Sequence, residues 1–371
     1  MSDDTPAPAV TSRSVAKGLG TTVLARLGAV VEIVAQPLYV LMFGLAGYGL
    51  YAVLWATINL LENLFDLGMT SAMQRTVPQS ASDADAAAAL RTAMLFGVGP
   101  CLIVATLIAV FAADLAPFLN VAAKDRPLVV PAIQLFVWAL PLWAFVEIAT
   151  SAMRARMVFG AEIRLRIVWE QIMRLVFAGL FFAGGLGLKG LFIAHLCSLA
   201  ITAGLCVRLL RRYYDFGELL HGGRGGETAR NTFWAGLSIL PSNLIARLFG
   251  DAPALILNLI LPGAAGAAAS GLFTIARKLS SVVQLVRVAF VYVMAPLAAI
   301  LAAGSAPLLS LFGHEAKVAQ AALVILLFAR AAEAVLGISL PVLQVVAAFR
   351  HQLTAAIVGV IAMPRSATPG N

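Results

Sequence analysis

Apolar runs separated by short polar or glycine-rich connections recur along the chain, each near the ~20 residues that a helix needs to cross a bilayer. The early runs cover Gly18–Phe43, Tyr48–Ala72, Thr92–Ala113, Leu128–Met153, Ile167–Ala183 and Leu188–Val207. A basic, glycine-rich connection follows, and then Asn231–Pro296 holds two long apolar segments joined by an uncharged Gly/Ala turn. Ala298–Phe312 reads as a short ninth span, Lys317–Phe349 as a long tenth and Leu353–Met363 as a fragment of an eleventh. Only helices or closed barrels satisfy their backbone groups inside lipid. The pattern therefore predicts an all-α polytopic membrane protein of about ten or eleven spans.

Composition agrees. The 371 residues are 61% hydrophobic and 12% charged, with a mean hydropathy of +0.93, too little charge to cover a soluble surface. The net charge of +8 needs no nucleic acid partner, because the Lys and Arg residues segregate by side. With the N-terminus in the cytosol, the inner side holds Arg13, Lys17, Arg75, Arg154, Arg156, Arg164, Arg166, Arg211 and Arg212, among others. The outer side holds Lys124, Arg126, Lys189 and Lys317. Residues 1–14 are polar and proline-bearing and read as a disordered cytosolic tail rather than a signal peptide. Cys101, Cys197 and Cys206 lie in apolar runs without the spacing of a disulfide framework or a metal site.

Charge at membrane depth is costly and marks candidate sites. Arg277, Ser280, Ser281, Gln284 and Arg287 recur at helical spacing and form one polar stripe on an apolar helix, with Lys278 beside it. Such a stripe belongs against a water-filled cavity or another helix. An internal repeat points the same way. Gly47–Leu64 aligns with Ala269–Val286 at an offset of 222 residues, which sets Gly49 on Gly271, Tyr51 on Phe273, Asn59 on Ser281 and Glu62 on Gln284. An even number of spans separates the copies, so the halves have like orientation and a two-fold axis along the membrane normal. The expected organisation is a six-helix lobe at 15–210, a basic linker at 211–230 and a second lobe at 231–371. The second run carries Asn59, Glu62, Asn63, Asp66 and Thr70 on one face, so two polar stripes would line a cleft between the lobes.

The quieter readings stand beside these. Arg287 is placed to snorkel to an interface, and Asp66 to cap a helix. Arg247 and Asp251 sit four apart ahead of Pro253, as a neutralised pair beside a kink or as a site where Gly250–Pro253 breaks the helix. Glu170 with Arg174, and Arg330 with Glu333, read as structural ion pairs. His195 reads as ordinary packing. No histidine pair has metal-ligand spacing and no glycine-rich phosphate loop is present, so neither a metal nor a cofactor is expected.

The stretch FGLAGYGLYAVLWATINLLENLFDLGMTSAMQRTVPQ resembles the N-terminal signature of the polysaccharide (O-antigen) flippases, within the superfamily that includes the multidrug and toxin extrusion transporters. Ala254–Val286 resembles the matching start of the second half. The resemblance covers most of Val15–Phe349. It implies a two-lobe bundle in the bacterial inner membrane that moves undecaprenyl-pyrophosphate-linked oligosaccharide by alternating access, with membrane lipids around it and the glycosyltransferases or polymerase of the same pathway as partners. On that basis Arg277, Lys278, Arg287, Arg247, Gln284 and Asn59 are candidates for substrate binding, since arginine presents paired donors that suit phosphate oxygens. Glu32, Glu62, Asp66 and Asp251 are candidates for binding H⁺ or Na⁺ to couple an ion gradient. The second lobe reads as incomplete against the family pattern, with a cytosolic connection missing near Pro296 and an end inside span eleven. Two alternatives stay open: a cation-coupled multidrug exporter of the same superfamily, and an inactive shortened member. A membrane-embedded polymerase or acyltransferase ranks last, because the outer loops are short and nearly empty of catalytic residue types.

Overall fold

The computed structural model describes residues 31–158, 160, 163–221, 226–280, 301–311 and 318–336. Among them every regular element is helical. In chain order these are α1 (Val31–Phe43), α2 (Leu45–Phe65), α3 (Met69–Thr76), α4 (Asp83–Val110), α5 (Ala123–Ala155), α6 (Glu170–Ala183) and α7 (Gly187–Tyr213). They are followed by α8 (Gly226–Ile260), α9 (Gly263–Ser280), α10 (Ser305–Ser310) and α11 (Gln320–Leu336). Helices α4, α5, α7 and α8 are long and apolar enough to cross a membrane.

Local chemistry explains where these elements start and stop. The second apolar run predicts a helix to Ala72, but α2 ends at Phe65. There the Asp66 carboxylate turns back on the chain and accepts from the Gly68 and Thr70 amides at 2.5 and 3.2 Å. Leu67 and Gly68 adopt positive φ, and the chain restarts as α3. Helix α4 begins earlier than the expected Thr92, because Ser82 caps it by accepting from the Asp85 amide. Within α4, a π-helical stretch at Met94–Val98 precedes Pro100, which has no amide to donate. The expected break at Gly250–Pro253 does not occur, and α8 runs through both Pro241 and Pro253. Of the ninth and tenth runs only α10 and α11 with their flanks are described; the eleventh lies outside the described residues.

Helix α2 is the centre of the arrangement. It packs on α5, α8 and α9, and the tightest approach is to α9. A methyl group added at Gly49 would sit 1.8 Å from the Ala267 carbonyl oxygen, and one at Gly271 would meet the Gly49 Cα and the Leu45 carbonyl oxygen at 3.2 Å. These contacts are reciprocal. The 222-residue offset carries Gly49 onto Gly271 and Leu45 onto Ala267, so repeat-related residues face each other across the crossing. At the other end of α2, Gly68 lies against Gly236 of α8, where a Cβ would be 2.2 Å from the Gly236 carbonyl oxygen.

Helix α8 is tied to the helices before it at both ends. Near its C-terminus Asn258, which is buried, clasps Asn120 of the α4–α5 loop. The Asn120 amide donates to Asn258 Oδ1 (3.0 Å), Asn258 Nδ2 to the Asn120 carbonyl (2.8 Å) and Asn120 Nδ2 to the Asn258 carbonyl (2.7 Å). The Gly263 amide donates to Asn120 Oδ1 at 3.1 Å, which joins the α8–α9 turn to the same clasp. At mid-helix Asn243 donates to Ser71 Oγ (2.9 Å), and at the opposite end Thr228 donates to Asp85 Oδ1 (3.3 Å). On that face Arg156 pairs with Asp83 at 2.6 Å and covers the Tyr214 ring. Burial pushes the Tyr214 phenol above its usual range, against the pull of the Arg156 guanidinium.

The clasp gives a measurable expectation. Asn258→Ala removes both side-chain bonds to Asn120 and strands the Asn120 amide, which should lower stability by about 2–3 kcal/mol. Thermal unfolding in detergent should show that loss. Thr106→Val should not, because the Thr106 hydroxyl is exposed and bonds only within its own helix.

Candidate functional site

Among the described residues, three groups of ionisable side chains lie within α2 and the helices beside it. The first lies where α1 meets α9. Lys278 of α9 donates to Glu32 Oε1 of α1, and both side chains are about one quarter exposed, at 25% and 27%. This ion pair joins the two sequence repeats. Next to it, Arg277 Nη1 pairs with Asp251 Oδ1 of α8 at 2.6 Å and donates to the Gly250 carbonyl. By sequence no acid lies one turn from Arg277 on its own helix; the counter-charge comes from the neighbouring helix instead. Asp251 is 3% exposed and turns towards α9, so the expected i,i+4 pair with Arg247 is replaced by an interhelical one, and Arg247 is exposed. Pro253 keeps α8 short of one amide, yet the carbonyl used by Arg277 is that of Gly250, one residue past the Phe249 carbonyl that the proline orphans. Ser280 is buried and donates to the Arg277 carbonyl. Gln284 and Arg287 lie outside the described residues.

Depth follows from helical rise. At 1.5 Å per residue, Glu32 lies roughly 16 Å along α1 from the α1–α2 turn, and Lys278 roughly 22 Å along α9 from the α8–α9 turn. Both are therefore three or more helical turns from the nearer connection, well inside the length of a helix that crosses a hydrocarbon layer about 30 Å thick.

The second group is inside the α1–α7 half. Glu170 and Arg174 of α6 approach to 3.7 Å, with 2% and 5% of their side chains exposed. Arg174 also donates to Gln171 Oε1 and to the Tyr51 hydroxyl (3.1 Å), and its Nη1 lies 3.4 Å from His195 Nε2. His195 Nε2 also lies 3.7 Å from Glu170 Oε1, and its Nδ1 bonds the Tyr51 hydroxyl at 3.0 Å. Ser198 closes the set by donating to Glu170 at 3.3 Å. Trp55, Phe136 and Phe192 wall it in. Sequence spacing pairs Glu170 with Arg174 but leaves His195 as packing and does not single out Tyr51 for chemistry. The offset that sets Tyr51 on the apolar Phe273 is the available signal, since only one copy of the repeat carries the hydroxyl.

The third group flanks the C-terminal end of α2. Glu62 and Asn59 are buried; Asn63 donates to Glu62 Oε2 and to the Asn59 carbonyl, both at 2.9 Å. Glu147 of α5, also buried, takes Arg166 at 2.9 Å, and the guanidinium lies over the Trp143 ring. The charges that act on Glu62 include those of Asp66 and Glu147, opposed by Arg247 and Arg166. Glu147 and Arg166 are absent from the sequence-derived candidates, although a glutamate inside the run Phe145-Val146-Glu147-Ile148 satisfies the rule used for Glu32. Asp66 serves as the α3 cap described above. Among the described residues no group of His, Cys, Asp or Glu is placed to hold a metal ion.

Residues 15–301 match the model of a family described as polysaccharide biosynthesis protein. The chain belongs to that family. No curated protein sequence matches it significantly. Its fold is that of the MATE transporters. A mutant form of the Vibrio cholerae MATE transporter VcmN superposes with a TM-score of 0.61 at 16% identity, over 92% of this chain and 85% of that one. A MATE in complex with MaD5 gives 0.56 at 16% identity, over 91% and 85%. A multidrug resistance MATE family transporter of the MOP superfamily, in an outward-facing conformation, gives 0.54 at 14% identity, over 91% and 84%. At these identities the likeness establishes architecture. This polysaccharide biosynthesis family member is thus a multi-pass membrane protein, and one of its charged groups, Glu32 with Lys278, joins the two halves of its sequence.

Proposed function

We propose that the chain is a flippase that moves lipid-linked oligosaccharide, carried on undecaprenyl pyrophosphate, across the bacterial inner membrane by alternating access. Under this reading the N-terminus is cytoplasmic, residues 15–210 and 231–371 act as two lobes joined by the 211–230 linker, and glycosyltransferases or a polymerase of the same pathway supply or consume the substrate. The chain would carry no chemistry of its own. The observation that carries the reading is the adjacent pair of cations, Arg277 and Lys278, on the apolar helix that crosses its repeat-related partner. Neighbouring cations in a low-dielectric setting attract a diphosphate, and the planar arginine fork suits its oxygens. Each cation is held by a carboxylate from another helix, so an anionic head has a counter-ion to displace rather than a bare charge to neutralise.

Complementation tests it. The wild-type chain should restore surface polysaccharide to a flippase-null strain, and Arg277→Ala should restore at least ten-fold less at matched membrane abundance. Equal restoration by both would remove Arg277 from the mechanism. One observation favours a second reading: with Asp251 on Arg277 and Glu32 on Lys278, the site is close to neutral, which suits a cation-coupled multidrug exporter better than bare cations would. That reading expects the chain to raise drug tolerance in the same strain without restoring polysaccharide.

A further inference from the structure

The two ion pairs beside the crossing are built differently. Arg277 has two acceptors on α8, the Asp251 carboxylate and the Gly250 carbonyl, and Asp251 is 4% exposed in its side chain. That pair is fixed within one helical hairpin, because α8 and α9 are consecutive. Lys278 instead reaches to α1, a helix of the other repeat, and both members of its pair keep about a quarter of their side-chain surface open. The open surface lets an incoming charge reach both members of this pair, while Asp251 is closed off behind Arg277. No hairpin holds Glu32 against Lys278; 246 residues separate them in the chain.

We infer that Glu32 and an anionic headgroup compete for the Lys278 ammonium, so that binding a diphosphate releases the tie between α1 and α9. This deepens the flippase reading and rests on it. The charge count carries the argument. Arg277, Lys278, Asp251 and Glu32 together sum to zero, and a neutral cluster offers a diphosphate no net attraction. Withdrawing Glu32 leaves the cluster at plus one. The ligand therefore gains most when the α1 carboxylate moves away, and by reciprocity the movement of α1 strengthens the ligand's hold. A lysine suits this exchange. Its ammonium is a compact charge on a flexible stem that can follow a ligand, whereas the Arg277 fork is committed to two acceptors. The competition gives substrate binding a direct route to the packing of the two halves, through a single side chain.

The test measures the affinity of the detergent-solubilised full-length chain for undecaprenyl diphosphate, with undecaprenyl alcohol as the uncharged control, by intrinsic tryptophan fluorescence. Glu32→Gln removes the competitor and should bind the diphosphate about ten-fold more tightly than wild type. Lys278→Gln removes the contested ammonium and should bind about ten-fold more weakly. The double variant should match Lys278→Gln, because without the ammonium the carboxylate has nothing to contest. A purely structural pair would instead loosen binding, or leave it unchanged, in both single variants. Thermal unfolding checks that each variant is folded. Should Glu32→Gln fail that check, Glu32→Met, which also removes the carboxylate and leaves the cluster at plus one, should move affinity in the same tighter direction. Glu32 variants that bind no tighter than a wild-type chain that does bind would overturn the competition and leave the flippase reading standing. Absence of diphosphate binding by every form, with the alcohol equally inert, would overturn both.

Discussion

Glu170→Ala is expected to destabilise the chain by about 3–5 kcal/mol, while replacing Glu170 and Arg174 together with leucine should cost much less. Both side chains are almost fully enclosed, at 2% and 5% exposure. Removing the carboxylate alone leaves the guanidinium facing Tyr51, Gln171 and His195, which supply dipoles but no full negative charge. An uncompensated charge in that setting is far worse than no charge. Removing both partners trades a desolvated ion pair for apolar volume beside Trp55, Phe136 and Phe192, a trade that is often neutral. A double-mutant cycle read by thermal unfolding in detergent tests this. A double replacement that costs the sum of the two single ones would mean that the pair is not coupled.

Gly49→Ala should disrupt the central crossing, more severely than the ~1–3 kcal/mol usual for overpacking. The added methyl would lie 1.8 Å from the Ala267 carbonyl oxygen, well inside the ~3.5 Å of an ordinary contact, and the obstacle is backbone that cannot rotate away. Either α2 and α9 separate by more than an ångström or one of them bends. Gly204→Ala is the matched control. It sits inside α7 with nothing near its Cβ position, and there an added methyl should stabilise by about 0.5–1 kcal/mol through helix propensity. The readouts are the yield of monodisperse protein in detergent and its unfolding temperature. A Gly49→Ala protein as stable as Gly204→Ala would mean that the two helices do not need this closeness.

Much of the architecture is legible in the residues. Period and run length give the helices, because lipid leaves few other ways to satisfy a backbone. The repeat is legible too, but not that its copies touch: the aligned glycines Gly49 and Gly271 meet at the α2–α9 crossing, where the sequence suggests only two stripes facing a cleft. Helix ends are less legible. Asp66 ends α2 by a side-chain turn that the apolar pattern ignores, and Ser82 starts α4 well ahead of the apolar run that opens at Thr92. Partners of charged residues are the least legible of all. Glu170 and Arg174 are visible because they share one helix face. Arg277 with Asp251, Lys278 with Glu32 and Arg166 with Glu147 are tertiary, and one-dimensional spacing holds no record of which helix stands opposite. The same limit makes Arg247 the natural mate of Asp251 on paper. The Tyr51–His195 contact lies 144 residues apart and has no periodic trace.

The attachment of α8 at both ends sets where this molecule can yield. Asn258 anchors one end to the Asn120 loop, Thr228 holds the other against α4, and Asn243 ties the middle to α3. Pro241 and Pro253 fall one in each interval between these ties, and each omits a rung of the backbone ladder. A rod pinned at both ends and its middle, and weakened between the pins, yields by flexing like a leaf spring rather than by tilting as a whole, and the flexure falls at the notches. Gly250 and Asp251 sit beside the second notch, so bowing α8 would carry the cradle of Arg277 with it.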